Sequence, residues 1–200
     1  MHTIFKNNHP ALTFFYIPKT ASVSLGAALY TAFSPGLKNI KLKKISDVPH
    51  ANMHNLTSKD DVANNRVCVL RHPYDRAKSL WQHSSRRVDT AWASDSFELF
   101  LIKRFHETHT LLPNTELDLD NFNFFAPQWH WAQHCNIRLD FNNLHHDFNN
   151  ILTEYVSPGT YNLPRKNVLN SKDSVDLKRY HKTLIRKIYA DDFEHLGFIP

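Results

Sequence analysis

The chain has 200 residues, of which 42% are hydrophobic, 12% aromatic and 22% charged, a size and balance suited to one globular domain and unlike a disordered polyelectrolyte. Lys plus Arg number 24 against 19 Asp plus Glu, a net charge of +5 with His neutral, which favours anionic partners without choosing among them. Two cysteines, Cys68 and Cys135, are too few for a disulfide framework or a cysteine-based zinc module; no apolar run approaches the roughly 20 residues that cross a bilayer, and the first fifteen residues lack the layout of a secretory signal, so a soluble cytoplasmic protein is expected.

Residues 12–17, LTFFYI, form a near-continuous apolar run ended by Pro18, the pattern of a strand covered on both faces. From Ser22 to Phe33 the spacing turns helical, with Leu25, Ala28, Leu29 and Ala32 on one stripe, and Pro35-Gly36 stops it. The basic stretch 37–48 has room for a short strand around Leu42–Ile45, and 57–63 reads as a short helix capped by Thr57 or Ser58. RVCVL, 66–70, is a second buried strand. Pro73 then suits a first helical position, with Tyr74, Ala77, Leu80 and Trp81 as the apolar stripe. Residues 95–106 predict an amphipathic helix opened by Asp95 or Ser96, 108–123 an exposed loop, 124–134 a helix, 136–141 a short strand and 145–153 another helix. Residues 157–172, with Pro158, Gly159 and Pro164, read as a long loop before a last helix over 173–190. Strands alternating with helices predict one α/β domain over 1–200 with a mostly parallel central sheet flanked by helices.

Two strand-to-helix junctions carry the chemistry. The first is YIPKTASVSL, 16–25. The N–H groups at a helix start lack intrahelical partners and attract anions. Lys19 adds a full charge, Thr20, Ser22 and Ser24 add hydroxyls, and Ala21 is small enough for close approach. A capped helix beside a solvated lysine is equally open at this point, and the glycine-bearing Walker A pattern is absent. The second is VLRHPYDRAKSLW, 69–81. Arg71 leaves the end of a buried strand, where α/β ligands bind, and Ser79 lies inside the helix that follows. A guanidinium with a hydroxyl can clamp a phosphate; an Arg-Asp-Arg surface network is the structural alternative.

Taken together, Pro-Lys-Thr-x-x-x-Ser-Leu and Leu-Arg-x-Pro-x-x-Arg-x-x-Ser resemble the sulfotransferase superfamily, nearest to its carbohydrate branch of Golgi-type enzymes and their bacterial relatives. The resemblance implies a P-loop-like three-layer domain that binds 3′-phosphoadenosine 5′-phosphosulfate (PAPS). It assigns Lys19, Thr20, Ala21, Ser22, Val23 and Ser24 to the 5′-phosphosulfate, and Arg71 and Ser79 to the 3′-phosphate. Ala126-Pro127-Gln128, Leu163-Pro164-Arg165-Lys166-Asn167 and the ending Tyr189-x-x-Asp192-Phe193-x-x-x-Gly197-Phe198 resemble further, less specific family elements. The chain departs from the common Gly-Gly-Thr at Ala21-Ser22-Val23.

Sulfuryl transfer needs in-line geometry, charge stabilisation and proton removal from the acceptor. Lys19 suits the stabiliser at the bridging oxygen. A general base with near-neutral pKa is most naturally a histidine, and PHANMHNLTSKD supplies His54 first and His50 second, each of which also reads as a packing or surface residue. The acceptor expected is a hydroxyl, of a glycan or glycolipid by the resemblance. No metal is expected: His130, His134 and Cys135 lack both the Glu of a zinc-protease motif and a further ligand. A P-loop-type nucleotide kinase shares the fold class, but RVCVL is followed by Arg71 rather than a magnesium-binding Asp. A basic nucleic-acid-binding module finds no recognition motif, and no nucleic acid is expected as a partner.

Overall fold

In the computed structural model, residues 1–33, 39–46, 61–86, 95–110, 124–164 and 175–200 are described. They fall into two compact units, each assembled from two stretches of chain. The first comprises Met1–Arg71 with His130–Asn167, the second His72–Trp129 with Val168–Pro200.

The first unit is built on a five-stranded sheet. β1 (His2–Lys6) turns directly into β2 (His9–Phe14). The two linking residues, Asn7 and Asn8, have φ of 53° and 65°, the left-handed pair that a two-residue hairpin turn needs and that Asn tolerates better than most residues. Lys6 pairs with His9 across it, and a register shift between Ile4 and Phe5 lets Pro10 sit in the ladder. β3 (Ile40–Lys44) runs antiparallel on the outer side of β1, with His2 opposite Lys44. β4 (Arg66–Leu70) lies parallel to β2, and β5 (Ile137–Asp140) parallel to β4. The order is β3-β1-β2-β4-β5.

The α/β class expected from the sequence is therefore the class observed, but the sheet is mixed. Its centre, β2-β4-β5, is parallel, whereas both pairings of β1 are antiparallel. The physical reason is the Asn7-Asn8 turn, because a two-residue link can join only antiparallel neighbours. The apolar run at 12–17 also contributes less strand than it suggests. β2 stops at Phe14, while Phe15 and Ile17 stay buried beyond it.

Among the described residues two longer helices complete this unit. α1 (Ser22–Ala32) buries Leu25, Ala28 and Leu29, as its stripe predicts. They pack in one cluster with Leu12 and Phe14 of β2, Val67 and Val69 of β4, and Leu139 of β5. The helix Leu144–Tyr155, α5 below, joins the same cluster through Phe148, Ile151 and Leu152. Thr3 and Thr13, directly opposite on β1 and β2, share a hydroxyl bond of 2.9 Å.

The second unit is helical. α2 (Pro73–Ser85) starts with Pro in its first turn, and the His72 Nδ1 accepts the Tyr74 N–H. α3 (Phe97–Thr110) opens at Ser96, whose hydroxyl accepts the Leu99 N–H at 3.2 Å. It outlasts its predicted end at 106. The expected helix over 124–134 is broken at Ala126-Pro127 and leaves the turn α4 (Trp129–Ala132), whose last three residues belong to the first unit, in this span as a complete element. α5 (Leu144–Tyr155) belongs to the first unit. The predicted last helix begins later, as α6 (Arg179–Ile188), and Tyr189 separates it from α7 (Ala190–His195). Tyr74, Leu80, Phe97, Phe100, Ile185 and Tyr189 are among the side chains that form this unit's core. Among the described residues no helix is long and apolar enough to cross a membrane.

Candidate functional site

The site grows from the carboxyl edge of the parallel strands, where side chains leave buried backbone and α/β ligands sit. After β2 the chain passes Ile17 and the buried Pro18 into a tight turn. Thr20 is buried, and its hydroxyl donates to the Ile17 carbonyl at 3.0 Å. That bond closes the turn, so the Thr20 hydroxyl proton is spent on local structure. Lys19 and Ala21 both adopt left-handed backbone, with φ of 66° and 68°. In an L-residue this costs on the order of 1 kcal/mol. The strained turn delivers α1 with Ala21 at its cap position, a residue with no oxygen to offer the first-turn N–H groups. Ser22 is half-buried, Val23 exposed and Ser24 buried.

The second cation comes from the neighbouring strand. Arg71 follows β4 directly, and its guanidinium donates to the Lys19 carbonyl at 3.2 Å. It also lies 4.4 Å from the centre of the Phe141 ring, at the end of β5. Three parallel strands thus contribute to one spot. β2 leads to the Lys19 turn, β4 to Arg71, and β5 to the aromatic ring against which the guanidinium stacks. The two cationic residues singled out from the sequence, fifty-two positions apart, meet in the first unit. Ser79 lies in the second unit, buried on α2. His50 and His54 lie outside the described residues. Among the described residues no group of three or more His, Cys, Asp or Glu is placed to hold a metal ion.

Sequence reasoning missed a further cluster on the same sheet edge. His2, paired with Phe14 and Lys44, is buried. Its Nε2 lies 2.9 Å from the Tyr30 hydroxyl of α1, and its ring meets those of Tyr16 and Tyr30 at 5.3 and 5.1 Å. Burial, and then the positive charges of the amino terminus and Lys44, lower its pKa from 6.5 to about 4. The β-branched and aromatic run Thr3-Ile4-Phe5 before Asn7-Asn8 was the available signal for a strand here. Phe141 was legible only as the last residue of a short predicted strand.

In the second unit, two of the less specific sequence elements meet. Asp192 of α7 is fully buried and accepts the Trp129 N–H at 2.9 Å and the Gln128 side-chain amide at 3.3 Å. Burial pushes its carboxyl above the ordinary carboxylate range, against the opposing pull of Arg76 and of these donors. His72, capping α2 through Nδ1, carries its remaining ring nitrogen 3.1 Å from the Ile199 carbonyl. The chain's end is thereby tied to the start of α2.

No protein-family model matches the chain, and no curated protein and no solved structure matches it at a significant level. The reading of the site therefore stands on its residues and geometry.

Proposed function

We propose that the protein is a PAPS-dependent sulfotransferase that moves a sulfuryl group to a hydroxyl acceptor, a glycan or glycolipid, and that its fold is the P-loop-like three-layer type. The observation that carries the reading is the bond from Arg71 to the Lys19 carbonyl, which joins the two cationic turns at one sheet edge beside an α1 start that has no side-chain cap. Cation, helix start and guanidinium together suit a ligand with more than one anionic group.

In the proposed reaction the first-turn N–H groups of α1, with Ser22, bind the 5′ side of the donor. Arg71 holds an anionic group beside the turn, with its plane fixed by Phe141. The Lys19 ammonium stabilises the charge that develops on the bridging oxygen. His54, or His50 in its place, takes the proton of the acceptor hydroxyl as that oxygen bonds to sulfur and the bond from sulfur to the bridging oxygen breaks. The products are the sulfated acceptor and 3′-phosphoadenosine 5′-phosphate. Ser79 is assigned to the 3′-phosphate by the resemblance alone.

Thermal shift and calorimetry with 3′-phosphoadenosine 5′-phosphate test the first half of this reading, and transfer from labelled PAPS tests the second. Arg71→Ala, which removes a charge-assisted clamp worth about 1.5–3 kcal/mol, weakens nucleotide binding by about 10- to 100-fold. Lys19→Ala lowers turnover more than it lowers binding. A chain that neither binds this nucleotide nor consumes PAPS is not a sulfotransferase.

A further inference from the structure

The chain's two cysteines take no part in the proposed reaction, yet the fold brings them together from the two stretches of the first unit. Cys68 sits in the middle of β4 between Val67 and Val69, whose side chains enter the α1 cluster. Alternation along a strand turns Cys68 to the opposite face. Arg138, its register partner on β5, shares that face. The Arg138 guanidinium donates to the Ala132 carbonyl at 3.2 Å and so draws the turn before β5 over the sheet. Two further bonds fix this turn. The Cys135 N–H donates to the same Ala132 carbonyl at 3.0 Å, and the Asn136 side-chain carbonyl accepts the Arg66 backbone N–H at 2.7 Å. The Cys135 thiol donates to the Trp131 carbonyl at 3.5 Å. Cys135 is thereby held beside Cys68, and the two thiols share a hydrogen bond. Both residues are buried, at 1% and 4% exposure.

We infer that this pair is a site of oxidative modification, where hydrogen peroxide closes an intrachain disulfide between Cys68 and Cys135. The inference rests on the two thiols alone and is independent of the proposed sulfuryl transfer. Peroxide oxidises one thiol to a sulfenic acid and leaves as water. The sulfur of the second thiol then attacks the sulfenic sulfur, the S–S bond forms, and the sulfenic oxygen departs with the second thiol's proton as another water. Two electrons pass from the cysteines to the peroxide. Burial selects the oxidant, because a small neutral molecule reaches sulfurs this covered and a bulky disulfide does not. The hydrogen bond with Cys68, and then burial, keep Cys135 protonated well above the ordinary thiol range, against the pull of Arg66 and Arg138. The reaction is therefore slow at neutral pH. Its product is covered as well as the thiols were, away from the thiolates that reduce exposed disulfides. A pair that oxidises slowly and stays oxidised registers sustained peroxide exposure rather than a brief pulse. The bond ties β4 to the turn that opens β5 and closes the chain on either side of His72–Trp129, a long loop of the kind whose closure most restricts the unfolded state.

The test incubates the folded full chain overnight in excess hydrogen peroxide, then unfolds it, alkylates it and maps it by mass spectrometry. The expected product is a monomer in which neither cysteine takes up the alkylating group and one peptide pair is cross-linked through Cys68 and Cys135. Its melting temperature rises by about 5–10 °C, and dithiothreitol reduces it about tenfold faster in urea than in buffer. Oxidised glutathione in place of peroxide leaves both thiols free. Two free thiols after the peroxide treatment overturn the inference. So do sulfinic or sulfonic acids on separate cysteines, a disulfide found only between two chains, or a mixed disulfide with glutathione. Cys68→Ala and Cys135→Ala each keep one thiol and show no rise in melting temperature with peroxide; a rise in either places the effect elsewhere and overturns the inference as well. Mapping of the parent chain decides the cross-link whether or not these variants fold.

Discussion

Ala21 shows how one side chain sets the character of the site. Its left-handed backbone, φ 68°, is comfortable for glycine and strained for alanine. Ala21→Gly therefore stabilises the fold by about 1 kcal/mol, raising the melting temperature by about 2–4 °C; a calorimetric scan in which it drops instead would show that the methyl group's packing outweighs the strain. His2 acts through its proton. Its pKa is about 4 in the folded chain and 6.5 as a free side chain, so between these values the unfolded chain binds more protons than the folded one. The stability contributed by the neutral ring is complete above about pH 6.5 and is lost as pH falls toward 4. Urea midpoints measured across this window should decline for the parent and decline less for His2→Phe, which keeps the ring contacts to Tyr16 and Tyr30 and removes the titration.

Among the elements, Asp192 joins α7 to the segment around Ala126-Pro127-Gln128. Asp192→Ala leaves the Trp129 N–H and the Gln128 amide without their buried acceptor and takes away a negative charge beside Arg76. A loss of about 3 kcal/mol in urea unfolding is expected. The elements also show where a sequence is readable. β4 and α2 were legible because each depends on local chemistry, an apolar run of five and a proline whose missing N–H suits a helix start. β1 was not, because its five residues make a short run without polar/apolar alternation and become a strand only by pairing on both sides. The run at 12–17 announced burial, and burial does not distinguish a strand from the covered chain that follows it. The break at Ala126-Pro127 was visible as a proline, but the periodicity of the aromatics around it favoured a continuous helix. At the site, Lys19 and Arg71 were found as residue types at strand ends. Their meeting depends on β2 and β4 being neighbours, which no local pattern encodes.

At the scale of the molecule, each unit draws on two separate stretches of chain, so neither is a contiguous fragment. The sheet needs β5 from the second stretch to cover β4, and the helical unit needs α6 and α7 to close the core begun by α2 and α3. Among the described strands the outermost on the hairpin side is β3, Ile40–Lys44, with Lys41, Lys43 and Lys44 along its five residues. An unpaired row of backbone donors and acceptors invites copies of the same protein to zip together. Two molecules meeting there would bring the Lys41 and Lys44 ammonium groups of one against those of the other, Lys43 being held by Asp61 at 2.6 Å, and like charge so placed disfavours a fibre-forming contact at the hairpin end of the sheet.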